Sequence, residues 1–300
     1  MNKYVIISDS SCNLNSEECE KYGISAILPM HLYAGDKEFD ADGDWRVMSA
    51  HDYYESMRNG VRVRSSQIIE AEFEKVFREY LDKGMDVLYL GCTSALSKGI
   101  FEAVVCATKL QKEYPNNKIV AYDTANCVGS LALVLFDACK MRDQGKSIDD
   151  ITKYLDENKL YYNEVGTVDK LIYLKQAGRV SASAAFFGGL LSVKPIVVYD
   201  EVGHNVAVLK VKGRRKSLET CADYVKRYGK LDINNIVFIC HADCLEDAKL
   251  TGELIQERFP DVKIDFKYRY IEPGVGSATG PGTIIVDFYG SDEIRKLNDK

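Results

Sequence analysis

Short apolar runs and amphipathic stretches alternate along the first half of the chain, each run closed by polar or small residues. Tyr4 to Ile7 is predicted as a buried strand ending in Asp9-Ser10-Ser11, and Asn15 or Ser16 caps a helix that stops at Gly23. Ile24 to Met30 is a second strand, and the polar segment Tyr33 to Trp45 reads as a surface loop or hairpin. Arg64-Ser65-Ser66-Gln67 precedes a strong helix with Phe73, Val76, Phe77, Tyr80 and Leu81 on one face. Val87 to Leu90 and Ile119 to Tyr122 are further strands, ending in Cys92-Thr93-Ser94 and Asp123-Thr124. Helices follow each, the second over Ser130 to Arg142, and Ser147 opens a capping box for one more at 151–158. Strand–helix alternation of this kind predicts a parallel sheet covered on both faces.

The pattern changes from about Leu160. Ile196–Tyr199 and Val206–Val211 form a predicted hairpin turned at Glu201-Val202-Gly203. A helix over Ser217–Tyr228, a strand at Ile236–Cys240, a helix over Leu245–Phe259 and strands at Lys263–Tyr270 and Thr283–Tyr289 follow. The expected architecture is α/β in two domains: a parallel-sheet, Rossmann-like domain at 1–158 and a mixed-sheet α/β domain at 159–300.

Between these patterns lies Leu171 to Val197, which fits neither. A short amphipathic helix ends at Gly178, Arg179 follows, and a run of small and apolar residues extends from Ser181 to Leu191. Ala and Gly leave room that Leu would fill, so an apolar group could lie against this backbone beside a cation. That combination suits a ligand with an anionic head and an apolar body. A helix hairpin packed in an ordinary core, with Arg179 solvated at its edge, is the plainer alternative.

Composition narrows the classes. The 300 residues carry a net charge of −6 from 39 basic and 45 acidic side chains, which argues against a nucleic-acid partner. No apolar run approaches the roughly 20 residues needed to span a bilayer, so stable membrane insertion is not expected. The amino terminus reads as a strand rather than a signal peptide, since Asp9 interrupts a short apolar run. Nine scattered cysteines, odd in number, fit reduced thiols and a cytoplasmic protein.

Candidate chemistry concentrates at the strand ends. Asp9-Ser10-Ser11, Thr93-Ser94 and Asp123-Thr124, with the expected helix start at Ser65-Ser66, bring hydroxyls to one sheet edge, where α/β folds bind ligands. Helix N-termini there favour a carboxylate or phosphate, although Ser and Thr are also common caps. The four histidines, His31, His51, His204 and His241, lie away from these junctions, so no Ser–His or Cys–His pairing is visible. Cys240-His241-x-x-Cys244 lacks a second ligand pair and reads as a strand end entering a helix, and no metal is expected. Gly274 to Gly282 precedes a strand and reads as a loop that approaches a ligand or the other domain. Lys210, Lys212, Arg214, Arg215 and Lys216 are either a solvated strand end or a docking patch for an acidic partner.

Taken in order, these segments resemble the DegV family of bacterial fatty-acid-binding proteins over essentially the whole chain. The resemblance rests on Asp9-Ser10-Ser11, Ser65-Ser66-Gln67, Thr93-Ser94-Ala95-Leu96-Ser97, Leu174 to Ser181 with Gly189 to Ile196, and Gly280-Pro281-Gly282-Thr283. It implies a fatty acid in a tunnel between the two domains and no cofactor. The carboxylate would be held by hydroxyls at Ser65 and Ser94, with Ser66, Thr93 and Arg179 nearby. Ile27, Met30, Phe186, Phe187, Leu190, Thr279 and Gly280 would line the tunnel, with Ala182, Ala184 and Gly188 near the acyl chain. A separate fatty-acid kinase would phosphorylate the presented carboxylate. The sequence departs from the family pattern at Ile68, at Lys98-Gly99-Ile100, and at Ala278, where a histidine is usual. The alternative is an enzyme, a hydrolase or phosphotransfer subunit, using Ser94 or Cys92.

Overall fold

The computed structural model describes residues 3–181 and 193–297. Strand β1 (Tyr4–Asp9) turns through Ser10–Cys12 into helix α1 (Ser16–Tyr22), and β2 (Ala26–Leu28) returns beside it. β3 (His31–Ala34) and β4 (Lys37–Asp40) form a hairpin, followed by α2 (Ala50–Arg58) and β5 (Val63–Ser66). Next come α3 (Glu70–Leu81), β6 (Asp86–Gly91), α4 (Gly99–Glu113), β7 (Ile119–Asp123), α5 (Val128–Asp143) and α6 (Ile148–Asn158). The second half runs β8 (Tyr162–Thr167), α7 (Leu171–Ala177), β9 (Val180–Ser181), β10 (Val193–Tyr199), β11 (Asn205–Lys212) and α8 (Arg214–Tyr228). It closes with β12 (Ile236–His241), α9 (Leu245–Arg258), β13 (Asp265–Tyr270), α10 (Pro273–Thr279) and β14 (Ile284–Tyr289).

Three sheets result. A parallel sheet has the order β2-β1-β6-β7, a mixed sheet the order β13-β12-β14-β8-β10-β11-β9, and a small antiparallel sheet the order β4-β3-β5. The expected α/β architecture, parallel sheet first and mixed sheet second, is therefore present. So is the β10–β11 hairpin, in which Ile196 faces Leu209. Helix α6 starts at the predicted capping box, where Ser147 accepts from the Asp150 amide.

Four local expectations are corrected. Ser65 and Ser66 do not open a helix: they end β5, where Leu32 pairs with Ser65 and His31 with Ser66. Helix α3 begins only at Glu70, because β3 offers an open edge whose pairing outweighs helix entry at the serines. Helix α2, capped by Ser49, is not predicted by the pattern. Pro273–Thr279 is a helix rather than a loop, since Pro273 suits its first turn and Glu272 caps Gly274 and Val275. Arg214, Arg215 and Lys216 form the first turn of α8 rather than a strand end, and Arg214 and Arg215 pair with Asp247 and Glu219.

Helix α5 joins the two halves. Every residue from Val128 to Phe136 is buried, so the first half of this helix has no solvent face. One continuous core holds Ile6, Leu88 and Leu90 of the parallel sheet, Leu131 and Leu135 of α5, and Phe238 and Ile285 of the mixed sheet. Gly129 sets the closest approach: its amide donates to Asp287 Oδ2 at 3.2 Å. A β-carbon there would lie 2.5 Å from Phe238 Cβ and 2.6 Å from Asp287 Oδ2. Gly129→Ala should therefore destabilise the protein by about 1–3 kcal/mol through overpacking. Urea denaturation measures this, and an unchanged midpoint would show that the helix is not clamped by the mixed sheet.

Candidate functional site

The hydroxyls at the strand ends fall into two groups. The first braces the loops. Asp9 accepts from the Ser11 amide at 3.0 Å, the Ser11 hydroxyl, the Tyr89 hydroxyl at 2.6 Å and the Cys92 amide at 3.1 Å. This single buried carboxylate ties the end of β1 to the end of β6. Burial and the adjacent Asp9 push the Tyr89 phenol well above its ordinary value, keeping it a neutral donor. Ser10 Oγ accepts from the Met30 amide at 3.1 Å, and Thr124 Oγ1 donates to the Gly91 carbonyl at 2.8 Å. Thr93 is also committed: its hydroxyl donates to the Val202 carbonyl at 3.1 Å and accepts from the Ala95 amide.

The second group is open. Ser65, Ser66 and Ser94 make no side-chain hydrogen bond among the described residues, and all three line one cavity of about 620 Å³. The Ser94 amide is held by Asp123 Oδ2 at 3.2 Å, which fixes its loop while leaving the hydroxyl unengaged. Opposite walls come from Leu174, Gly178 and Arg179 of the second half and from Gly274, Val275, Ala278 and Thr279 of α10.

Two cations stand at this cavity. Arg179 follows Gly178, whose left-handed φ of 65° ends α7, and its guanidinium donates to the Ala177 carbonyl at 2.6 Å. It therefore braces the helix end and lines the cavity at once. Lys98 precedes α4 and is exposed at the same cavity. A neighbouring groove of about 570 Å³ shares Ser65, Arg179 and Ala278 and adds Arg62 and Arg64. Ala278, where the resemblance implies histidine, thus borders both spaces.

Deeper in, a smaller void of about 40 Å³ shares Leu96, Cys127, Leu174, Asn205, Val275 and Thr279 with the main cavity. Val128, Val168, Val197 and Ile285 make its apolar wall. The turn into α5 holds Ala125 and Val128 at φ 54° and 52°, a left-handed conformation that a β-branched residue seldom takes. Strain of this kind gathers at binding sites, and here it lies beside Cys127 and Val128 on the cavity wall. Glu164 also reaches the void, accepting from Tyr199 Oη at 2.6 Å, and burial raises its carboxyl to about 7.

Of the expected site residues, the cavity gathers Ser65, Ser66, Ser94, Arg179, Met30 and Thr279. It does not include Thr93, whose hydroxyl is spent on Val202, or Ile27, which packs against the core. Gly280 is held instead against Tyr173, whose ring leaves no room for a β-carbon. Phe186, Phe187 and Leu190, with Ala182, Ala184 and Gly188, lie outside the described residues. Lys98, Asn205 and Glu164 were not expected. The half metal motif is structural: His241 stacks on Tyr270 at 4.5 Å, and Cys240 Sγ accepts from Asn13. Among the described residues no cluster of three or more His, Cys, Asp or Glu could hold a metal ion.

The fold and cavity define an α/β protein with an amphiphilic cavity where a parallel and a mixed sheet meet. Residues 3–290 match the model of a family described as uncharacterised proteins of the DegV family. The chain belongs to the DegV family. A DegV domain-containing protein from Clostridium perfringens is 35% identical over 295 residues, covering 97% of this chain and 98% of its own. A solved fatty-acid-binding DegV family protein from Thermus thermophilus superposes with a TM-score of 0.84 at 18% identity, over 97% of this chain and 100% of the other. A stearic acid-binding protein from Eubacterium ventriosum gives a TM-score of 0.84 at 24% identity, over 97% and 99% of the two chains.

Helix α10 owes its position to Glu272, which is buried and accepts from the Gly274 and Val275 amides. Burial raises this carboxyl to about 8, against an ordinary value of 4.5. The folded state thus binds a proton that the unfolded state releases. Its contribution is fully present below about pH 4.5 and is lost as pH rises towards 8, by at most about 1.4 kcal/mol per pH unit. The stability difference between wild type and Glu272→Gln should shift against wild type over that window in urea titrations. A difference independent of pH would contradict a neutral Glu272.

Proposed function

We propose that the protein binds a long-chain fatty acid, with the carboxylate at Ser65, Ser66 and Ser94 beside Arg179 and Lys98, and acts as an acyl carrier. The observation that carries this reading is the cavity with three unengaged serine hydroxyls at its polar wall and apolar side chains further in. Hydroxyls and rim cations suit an anionic head, and the valines and Ile285 suit a chain. The Thermus and Eubacterium relatives, described as binding fatty acids, support the same ligand class.

Magnitudes favour a carrier in which the tail dominates affinity. Burying a methylene gains about 0.8 kcal/mol, so a sixteen-carbon chain gains roughly 11 kcal/mol gross before association and ordering costs. The head group then sets orientation. Presentation of the carboxylate to a fatty-acid kinase is supported by the adjoining groove, where Arg62, Arg64 and Arg179 offer an acidic partner a cationic surface. A hydrolase built on Ser94 or Cys92 would need a base at the cavity. His31, His51 and His204 pair with Asp40, Asp243 and Asp200, and His241 is stacked on Tyr270.

Denaturing extraction and mass spectrometry of the purified protein should release a fatty acid at about one per chain; no lipid after expression in lipid-replete cells would oppose the reading. Ser94→Ala should lower the preference for palmitate over palmityl alcohol about tenfold while leaving alcohol binding nearly unchanged. Equal losses for both ligands would remove Ser94 from the head-group site.

A further inference from the structure

The inner end of the cavity is not purely apolar. Asn205 starts β11 directly opposite Tyr199 of β10, so both side chains project from the same face of the mixed sheet. Asn205 lines both the main cavity and the deeper void, and its buried Oδ1 has no hydrogen-bond partner among the described residues. Glu164, on the neighbouring β8, reaches the same void; Tyr199 satisfies one of its oxygens, and the other makes no hydrogen bond among the described residues. Both oxygens therefore border a void whose other unengaged polar group, among the described residues, is the Thr167 hydroxyl, able to donate to or accept from a ligand.

A plain alkyl chain run into this space would cover the amide of Asn205 without satisfying it. Leaving a buried acceptor unpaired is unfavourable, whereas supplying a donor turns the same contact favourable. The void of about 40 Å³ has room for a hydroxyl group. We infer that the preferred ligand is a hydroxylated fatty acid, whose chain hydroxyl donates to Asn205 Oδ1, beside Glu164, at the inner end of the cavity. The inference rests on the carrier reading above and specifies its ligand. A keto oxygen carries no proton to donate to Asn205 Oδ1, so the preference is for a hydroxyl over a ketone.

The test uses delipidated full-length protein and a mixture of octadecanoic acid, its isomers hydroxylated at successive chain carbons, and the matching keto acids. Retained lipids are quantified by mass spectrometry after removal of unbound material. One hydroxy isomer should be retained about tenfold over octadecanoic acid, and its keto counterpart should show no such gain. Asn205→Leu should bring that ratio close to one while still retaining octadecanoic acid. If no hydroxy isomer is preferred, an ordered water occupies the void and the inference is overturned. It is equally overturned if the preference survives in N205L. Should N205L fail to fold, the wild-type mixture decides alone. Retention of octadecanoic acid without hydroxyl preference leaves the carrier reading standing, whereas retention of nothing overturns both.

Discussion

A helix that is apolar on every side must be covered on every side, and α5 imposes that requirement on this fold. Its residues from Val128 to Phe136 are all buried, so a single sheet could not satisfy them. The parallel sheet covers one flank through Ile6 and Leu88, and the mixed sheet covers another through Phe238 and Ile285. Gly129 lets the second sheet approach to backbone distance. Once the sheets are held this way, the carboxyl ends of β1 and β6 face the β10–β11 hairpin, and the N-terminus of α5 points between them. The cavity is the space left at that joint, which is why Cys127 borders both its wide and its narrow parts.

Charge is distributed so that the cavity has a direction. Burial raises Glu164, at the inner void, to about 7 and Glu272, at the start of α10, to about 8, which lessens the negative charge near the cavity. Asp9 is instead consumed by four donors that fix the strand ends. Two cations, Lys98 and Arg179, stand at the exposed side. In the proposed carrier this arrangement favours an amphiphile seated with its carboxylate outward, although the protein as a whole carries −6.

Much of this was legible in the sequence where the signal is local. Strand–helix alternation, the Ser147 capping box, the β10–β11 hairpin and the Gly178–Arg179 helix end each depend on neighbouring residues, and each appears in the structure. What escaped depends on partners distant in sequence. Ser65 and Ser66 became a strand because β3 supplied an edge. Thr93 left the site because the Val202 carbonyl, over a hundred residues away, took its hydroxyl. Glu164 sits in a strand buried on both faces, so Tyr162 to Thr167 lacks the alternation that marks a half-buried strand. Asn205 reads in sequence as a turn residue beside Gly203, and only pairing with Tyr199 aims it inward.

The position where the family resemblance and this chain part is Ala278. It borders both the main cavity and the arginine-lined groove, so a histidine there would offer the carboxylate of the proposed ligand a short, partly desolvated contact. With a methyl group instead, the charged contacts left are Lys98 and Arg179, both exposed and therefore weakened by salt. Neutral hydroxyls at Ser65, Ser66 and Ser94, the head-group site proposed above, would orient a carboxylate without a counter-charge of their own. On the proposed reading, discrimination among lipids would then come chiefly from the other end, where Asn205 Oδ1 and Glu164 are buried. In the proposed carrier, alanine in place of an imidazole at the mouth would move the weight of recognition from the carboxylate, which all fatty acids share, to the chain, in which they differ.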